Sequence, residues 1–222
     1  MHIKVGIAYG MLGICLGWLS YNVSQRLMKR KKGEEYKINE GLAIKICFYL
    51  INGVIWFLSG LFIDNVLNAL LINFQITLGI VIAYIDIRIR IIPNELVLTI
   101  IIVGIIFQTI FYGMYGLIGS IMSMIFIMIV FTALANFMGM GKVGAGDVKL
   151  AGAIGFALGY PLVSTAMGIM AIVLLSYILV GLAIRKIKLT TMLPLAPFLV
   201  SGYIFSLLSL VFDLGFVLKI WY

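Results

Sequence analysis

Apolar residues run almost unbroken over 3–21, 44–63, 66–85, 96–112, 117–138, 148–159, 162–184 and 196–212, and polar residues collect in the short gaps between. Most of these runs approach the ~20 residues a helix needs to cross the ~30 Å hydrocarbon layer of a bilayer. They are continuous rather than alternating, which rules against a transmembrane β-barrel. The pattern therefore predicts an all-α polytopic membrane protein of about eight transmembrane helices. Eight spans would take up ~160 residues of the 222, which leaves no room for a separate soluble domain. Residues 1–222 read as a single membrane-embedded domain, with a short basic cytoplasmic loop at 26–40. Composition adds weight, because 64% hydrophobic residues and a mean hydropathy of +1.20 lie far outside the soluble globular range.

One run is too short. Only 13 residues separate Asp147 from Pro161, about 20 Å of helix at ~1.5 Å per residue. Either this helix is partial, or it starts below the cytoplasmic surface and holds Asp147 at the membrane boundary. The second option also accommodates the glycine-rich stretch before it, since irregular backbone at depth must be buried in protein or line a wet cavity.

The formal charge of +8 could suggest nucleic acid, but the basic residues fall in the gaps between apolar runs, where they orient spans. No nucleic-acid partner is expected; the partner surface is the lipid bilayer. Arg26, Lys29, Arg30, Lys31, Lys32, Lys37, Lys45, Arg88, Arg90, Lys142, Lys149, Arg185, Lys186 and Lys188 fall on one side if alternate gaps face the cytoplasm, with Lys4 and Lys219 on the other. The positive-inside rule then predicts eight spans with both termini outside. A six-span count that loses one whole hairpin satisfies the same charges. The first run lacks an A-x-A-like cleavage site and reads as a retained span rather than a signal peptide.

Gly6, Gly10, Gly13 and Gly17 form a stripe along the first run, and Gly152, Gly155 and Gly159 another along the short one. Such stripes let helix backbones approach closely. Cys15 and Cys47 lie in apolar runs and read as buried thiols; with His2 the only histidine, neither a disulfide framework nor a metal constellation is expected.

Acids are scarce. Glu34, Glu35 and Glu40 belong to the basic loop, Asp64 and Asp213 to outer helix ends, and Glu95 to a first helical turn, where the macrodipole favours it. Asp86 in "YIDIRIRIIPN" and Asp147 in "GAGDVK" remain, both abutting apolar runs on the cytoplasmic side. Asp86 could simply end a helix beside Arg88, and Asp147 could be an N-cap. Ionisable groups at membrane depth are nonetheless functional by default. Two converging carboxylates share a proton and titrate as a pair, so one can take a proton from water while the other polarises a carbonyl. Neighbouring glycines would let an extended peptide approach without a Cβ clash.

"GAGDVK", with Gly144, Gly146, Asp147 and Lys149, resembles the G-x-G-D-x-K signature of the type IV prepilin peptidases, membrane aspartyl proteases of the GxGD class. Asp86, followed by Ile92, Pro93 and Asn94, resembles their D-x5-[IL]-P-[ND] motif, and "LPLAPFL" at 193–199 their P-x-x-P-F-L segment. The resemblance is clear from about Val66 to Leu199. It implies a catalytic pair, Asp86 and Asp147, and an active-site loop of Gly144, Gly146 and Lys149. It implies an aspartic-type endopeptidase of the cell (inner) membrane that removes a short basic leader from prepilin or pseudopilin precursors at the cytoplasmic face. Cleavage would follow a glycine and precede the apolar helix that anchors the precursor.

The chain also departs from the family. Bacterial members commonly carry two C-x-x-C pairs, taken as a zinc site, in the loop after the first span; residues 26–40 hold no cysteine, and no zinc is expected. Proteolysis implies no cofactor, whereas the N-methylation that many bacterial members also perform would bring in S-adenosylmethionine. Presenilin-like and preflagellin-type proteases share the G-x-G-D logic. A proton-coupled transporter, with the two acids as a relay, and a catalytically silent assembly protein are readings from other classes.

Overall fold

The computed structural model describes residues 2–33, 41–138, 144–185 and 193–212. Features expected at 34–40, 139–143, 186–192 and 213–222, including Lys37, Lys142, Asp213 and Lys219, lie outside the described residues. Among those described there are seven helices and no strand: α1 (His2–Lys32), α2 (Leu42–Phe62), α3 (Val66–Ile89), α4 (Asn94–Met138), α5 (Ala145–Leu158), α6 (Leu162–Ala183) and α7 (Ala196–Val211). Five of them are long and apolar enough to cross a membrane. All eight apolar runs fall in helices, although α5 and α7, with 14 and 16 residues, are shorter than a full span. Two runs share α4, which bends at Gly113 (φ 63°, ψ −155°), a left-handed position open to glycine.

The basic segment differs from expectation. Residues 26–32 are not loop but the last turns of α1, which ends in Lys29, Arg30, Lys31 and Lys32. Lysine and arginine are good helix formers and favour the negative end of the macrodipole. Gly33, at φ 100°, then stops the helix and donates its N–H to Lys29 O at 2.8 Å.

The glycine stripe of α1 packs on α2 as its spacing predicts. A Cβ on Gly13 would lie 2.7 Å from Asn52 O, and one on Gly17 2.7 Å from Phe48 O. The α5 stripe packs on the second half of α4, with Met128 against Gly152 and Ser123 O against Gly155. Cys15 and Cys47, expected to be buried, are exposed on the outer faces of α1 and α2. Hydropathy places a residue in an apolar helix but does not say whether it faces lipid or protein.

Helix α3 is the hub, packed against α1, α2, α4 and α7. Polar side chains fix its neighbours: Trp56 Nε1 donates to Thr77 Oγ1 (3.3 Å), Thr77 Oγ1 to Asn52 Oδ1 (2.7 Å) and Ser59 Oγ to Asn73 Oδ1 (2.6 Å). On the α7 side Tyr203 OH donates to Gln75 Oε1 at 2.5 Å. Such bonds average about 0.6 kcal/mol each between membrane helices.

The short helix is α5, with 14 residues. It ends inside the protein rather than at a surface. Gln108 Nε2, buried on α4, donates to Ala157 O at 3.0 Å, and Gly159 N–H donates to Gly155 O at 3.0 Å. Two of the carbonyls that a helix end leaves free are thereby satisfied without water.

Candidate active site

Asp86 occupies the last turn of α3 and is 5% exposed. A helix C-terminus disfavours an acid, so capping does not explain it. Its Oδ2 instead accepts the Ala196 N–H at 3.3 Å, from the first residue of α7. Pro197, next in that turn, has no N–H, and the N–H groups of Phe198 and Leu199 turn back onto Leu195 O. The N-terminus of α7 therefore offers the Ala196 donor, with the positive end of its macrodipole, to the carboxylate.

Helix α3 closes at Arg90, which is left-handed at φ 54° and donates its N–H to Asp86 O at 2.8 Å. The chain then turns through Ile91 and Ile92 to Pro93, whose carbonyl accepts the Leu96 and Val97 N–H groups that open α4. This tight turn carries Asn94 back beside Asp86.

Asp147 is the third residue of α5, behind the N-cap Gly144. Its Oδ2 accepts the Gly144 N–H at 3.1 Å, while its own N–H donates to Gly144 O at 3.0 Å. The carboxylate thus holds the N-cap Gly144, which modifies the N-cap expectation: the acid sits inside the helix and reaches back. Gly144 and Gly146 carry no positive φ. A Cβ on Gly144 would meet Asp147 Oδ2 at 3.2 Å, a tight fit, and one on Gly146 would meet Ile92 Cβ at 3.5 Å, an ordinary contact.

These pieces enclose one cavity of about 300 Å³, lined by Asp86, Arg90, Ile91, Ile92, Asn94, Gly144, Gly146, Asp147 and Lys149. Every residue singled out from the sequence as a site candidate borders it, although α3 and α5 are far apart along the chain. Sequence reasoning missed three contributors. Asn94 belongs to the quoted aspartate motif and could have been found there. Arg90 and the Ala196 N–H carry no signal of spacing or residue type. Among the described residues no three His, Cys, Asp or Glu side chains gather as a metal site would need.

Near the cavity, Glu95 Oε1 lies 3.4 Å from both Arg30 Nη1 and Lys31 Nζ, joining the basic end of α1 to the start of α4. The arrangement gathers two carboxyl groups and two glycines around one cavity with room for water at the ends of apolar helices, the parts that acid–base hydrolysis needs.

No curated protein and no solved structure matches the chain. The sequence profile described as the type IV leader peptidase family, however, matches residues 73–185, just over half of the chain and a stretch that holds both acids, the glycine loop and the turn between α3 and α4, and the chain belongs to that family.

Proposed function

We propose that the protein is a membrane aspartyl endopeptidase that removes the short basic leader from type IV prepilin or pseudopilin precursors at the cytoplasmic face of the cell membrane. The observation that carries this reading is the shared cavity of Asp86 and Asp147, walled by Gly144 and Gly146. The ionised carboxylate takes a proton from water as its oxygen attacks the scissile carbonyl, and the protonated partner donates to that carbonyl oxygen. Collapse of the tetrahedral intermediate breaks the C–N bond, and a proton passes to the departing amine. The Ala196 N–H holds Asp86 and the Gly144 N–H holds Asp147, so both side chains are oriented before substrate arrives. The glycines leave space for an extended backbone to lie against the loop.

Among the described residues the lining presents no aromatic ring on which the adenine of S-adenosylmethionine could stack, so no methyl transfer is proposed for this cavity.

The test is coexpression with a candidate precursor and intact-mass measurement of the product. Asp86→Asn and Asp147→Asn are each expected to abolish leader removal while the protein still accumulates in the membrane. Normal trimming by either variant would reject the assignment. A precursor left whole by the unaltered protein would reject that precursor as substrate.

A further inference from the structure

A second cavity, of about 410 Å³, opens beside the first and shares Asn94 and Lys149 with it. The rest of its lining is apolar and comes from both halves of α4 and from α5, including Leu98, Met124, Met128 and Ala153. The spacing is regular. Leu98 lies four residues after Asn94, Ala153 four after Lys149, and Met128 four after Met124, so each helix presents one turn of a single face. Asn94 and Lys149 sit toward the starts of their helices and border the acid cavity; Leu98 and Ala153 lie ~6 Å further along. The result is a trough with a polar mouth at Asn94 and Lys149, where it meets the acid cavity, an apolar floor at Ala153 and an exposed apolar rim at Leu98.

Gly152 keeps the trough narrow, because the absence of a side chain lets Met128 lie against α5; a Cβ there would stand 2.6 Å from Met128 Cγ. Two methionines on one wall give a flexible, polarisable surface that accepts apolar side chains of differing shape.

We propose that this trough receives the first apolar turn of the substrate on the C-terminal side of the scissile bond, and that Leu98, Met124, Met128 and Ala153 set which side chains are accepted there. The inference rests on the peptidase reading. A peptide held between Asp86 and Asp147 must leave the acid cavity, and the trough continues that cavity through Asn94 and Lys149. An occupant that is polar backbone at the mouth and apolar one turn deeper matches the lining, whereas a lipid tail would leave Asn94 and Lys149 without a polar partner from the occupant.

The experiment uses the full-length protein in lipid vesicles with three precursors that differ only in the first turn after the cleaved bond, where the apolar residues are alanine, leucine or tryptophan. Because each enzyme preparation is scored by a ratio of rates, the amount of folded protein cancels. The unaltered enzyme is expected to process the leucine precursor about tenfold faster than the alanine one, as a hydrophobic subsite discriminates. Leu98→Trp, placed on the exposed rim, should bring that ratio close to one by filling the trough. The widened double variant Met124→Ala/Met128→Ala should shift preference to tryptophan, and it decides the matter if the rim variant fails to fold. Cleavage with the same ratios in all three enzymes would overturn the trough assignment alone and leave the groove to lipid acyl chains. Failure of the unaltered enzyme to cut any precursor would overturn the peptidase reading, and the trough with it.

Discussion

Asparagine can accept the Gly144 N–H through Oδ1 much as the Asp147 carboxylate does at 3.1 Å. Asp147→Asn should therefore keep the start of α5 intact, within about 0.5 kcal/mol of the unaltered protein, while losing leader removal. Asp147→Ala removes both roles and should also destabilise by about 1 kcal/mol, the usual effect of a lost cap. Thermal unfolding in detergent, run beside the intact-mass assay, separates the two; equal stability of the Asn and Ala variants would show that the cap contributes nothing. Gly146→Ala divides the same way. Its Cβ would make only an ordinary contact with Ile92, so folding should be unaffected, whereas crowding of the cavity should lower kcat/KM tenfold or more. At this scale the acids were legible by elimination, since the other six carboxylates each had a cheaper reason to exist. The donor that orients Asp86 was not, because Ala196 contributes a backbone N–H and its side chain says nothing.

Helix contacts differ in how much they can yield, and the glycines report it. At Gly17 the atom in the way of a Cβ is Phe48 O, part of the α2 backbone, 2.7 Å away. Gly17→Ala must push two helices apart and should destabilise by about 1–3 kcal/mol. Gly168 on α6 has nothing within 4 Å of its Cβ position, so Gly168→Ala should stay within about 0.5 kcal/mol. Paired thermal melts check both, and equal effects would mean that α1 and α2 are not packed this closely. The glycine period made this interface readable in advance. The overrun of α1 to Lys32 was not readable, because a run of lysines looks the same whether it ends a helix or begins a loop. Nor were the outward-facing thiols, since a lipid-facing surface is as apolar as a core.

Several contacts draw the same helix ends together. Arg30 and Lys31 meet Glu95, the Ala196 N–H meets Asp86, and Ile92 lies against Gly146. Apart from Lys4, the Lys and Arg side chains of the described residues all fall toward this end, from Arg26 on α1 to Arg185 after α6. Eight hydropathy runs were enough to foresee a helical bundle, a break between 112 and 117 and a short helix after Asp147; the Gln108 side chain that closes the end of α5 was not readable, because it comes from a helix distant in sequence. The basic end should face the cytoplasm by the positive-inside rule, and the active-site reading depends on that orientation. It can be measured with single cysteines in a background in which Cys15 and Cys47 are serine. Lys32→Cys marks the basic end, and Asp64→Cys marks the connection between α2 and α3 at the other; both positions are exposed. A membrane-impermeant maleimide applied to intact cells should label position 64 and spare position 32, and in inside-out vesicles the pattern should invert. The opposite pattern would turn the cavity of Asp86 and Asp147 to the outer surface, where a precursor still holding its basic leader on the cytoplasmic side could not reach it.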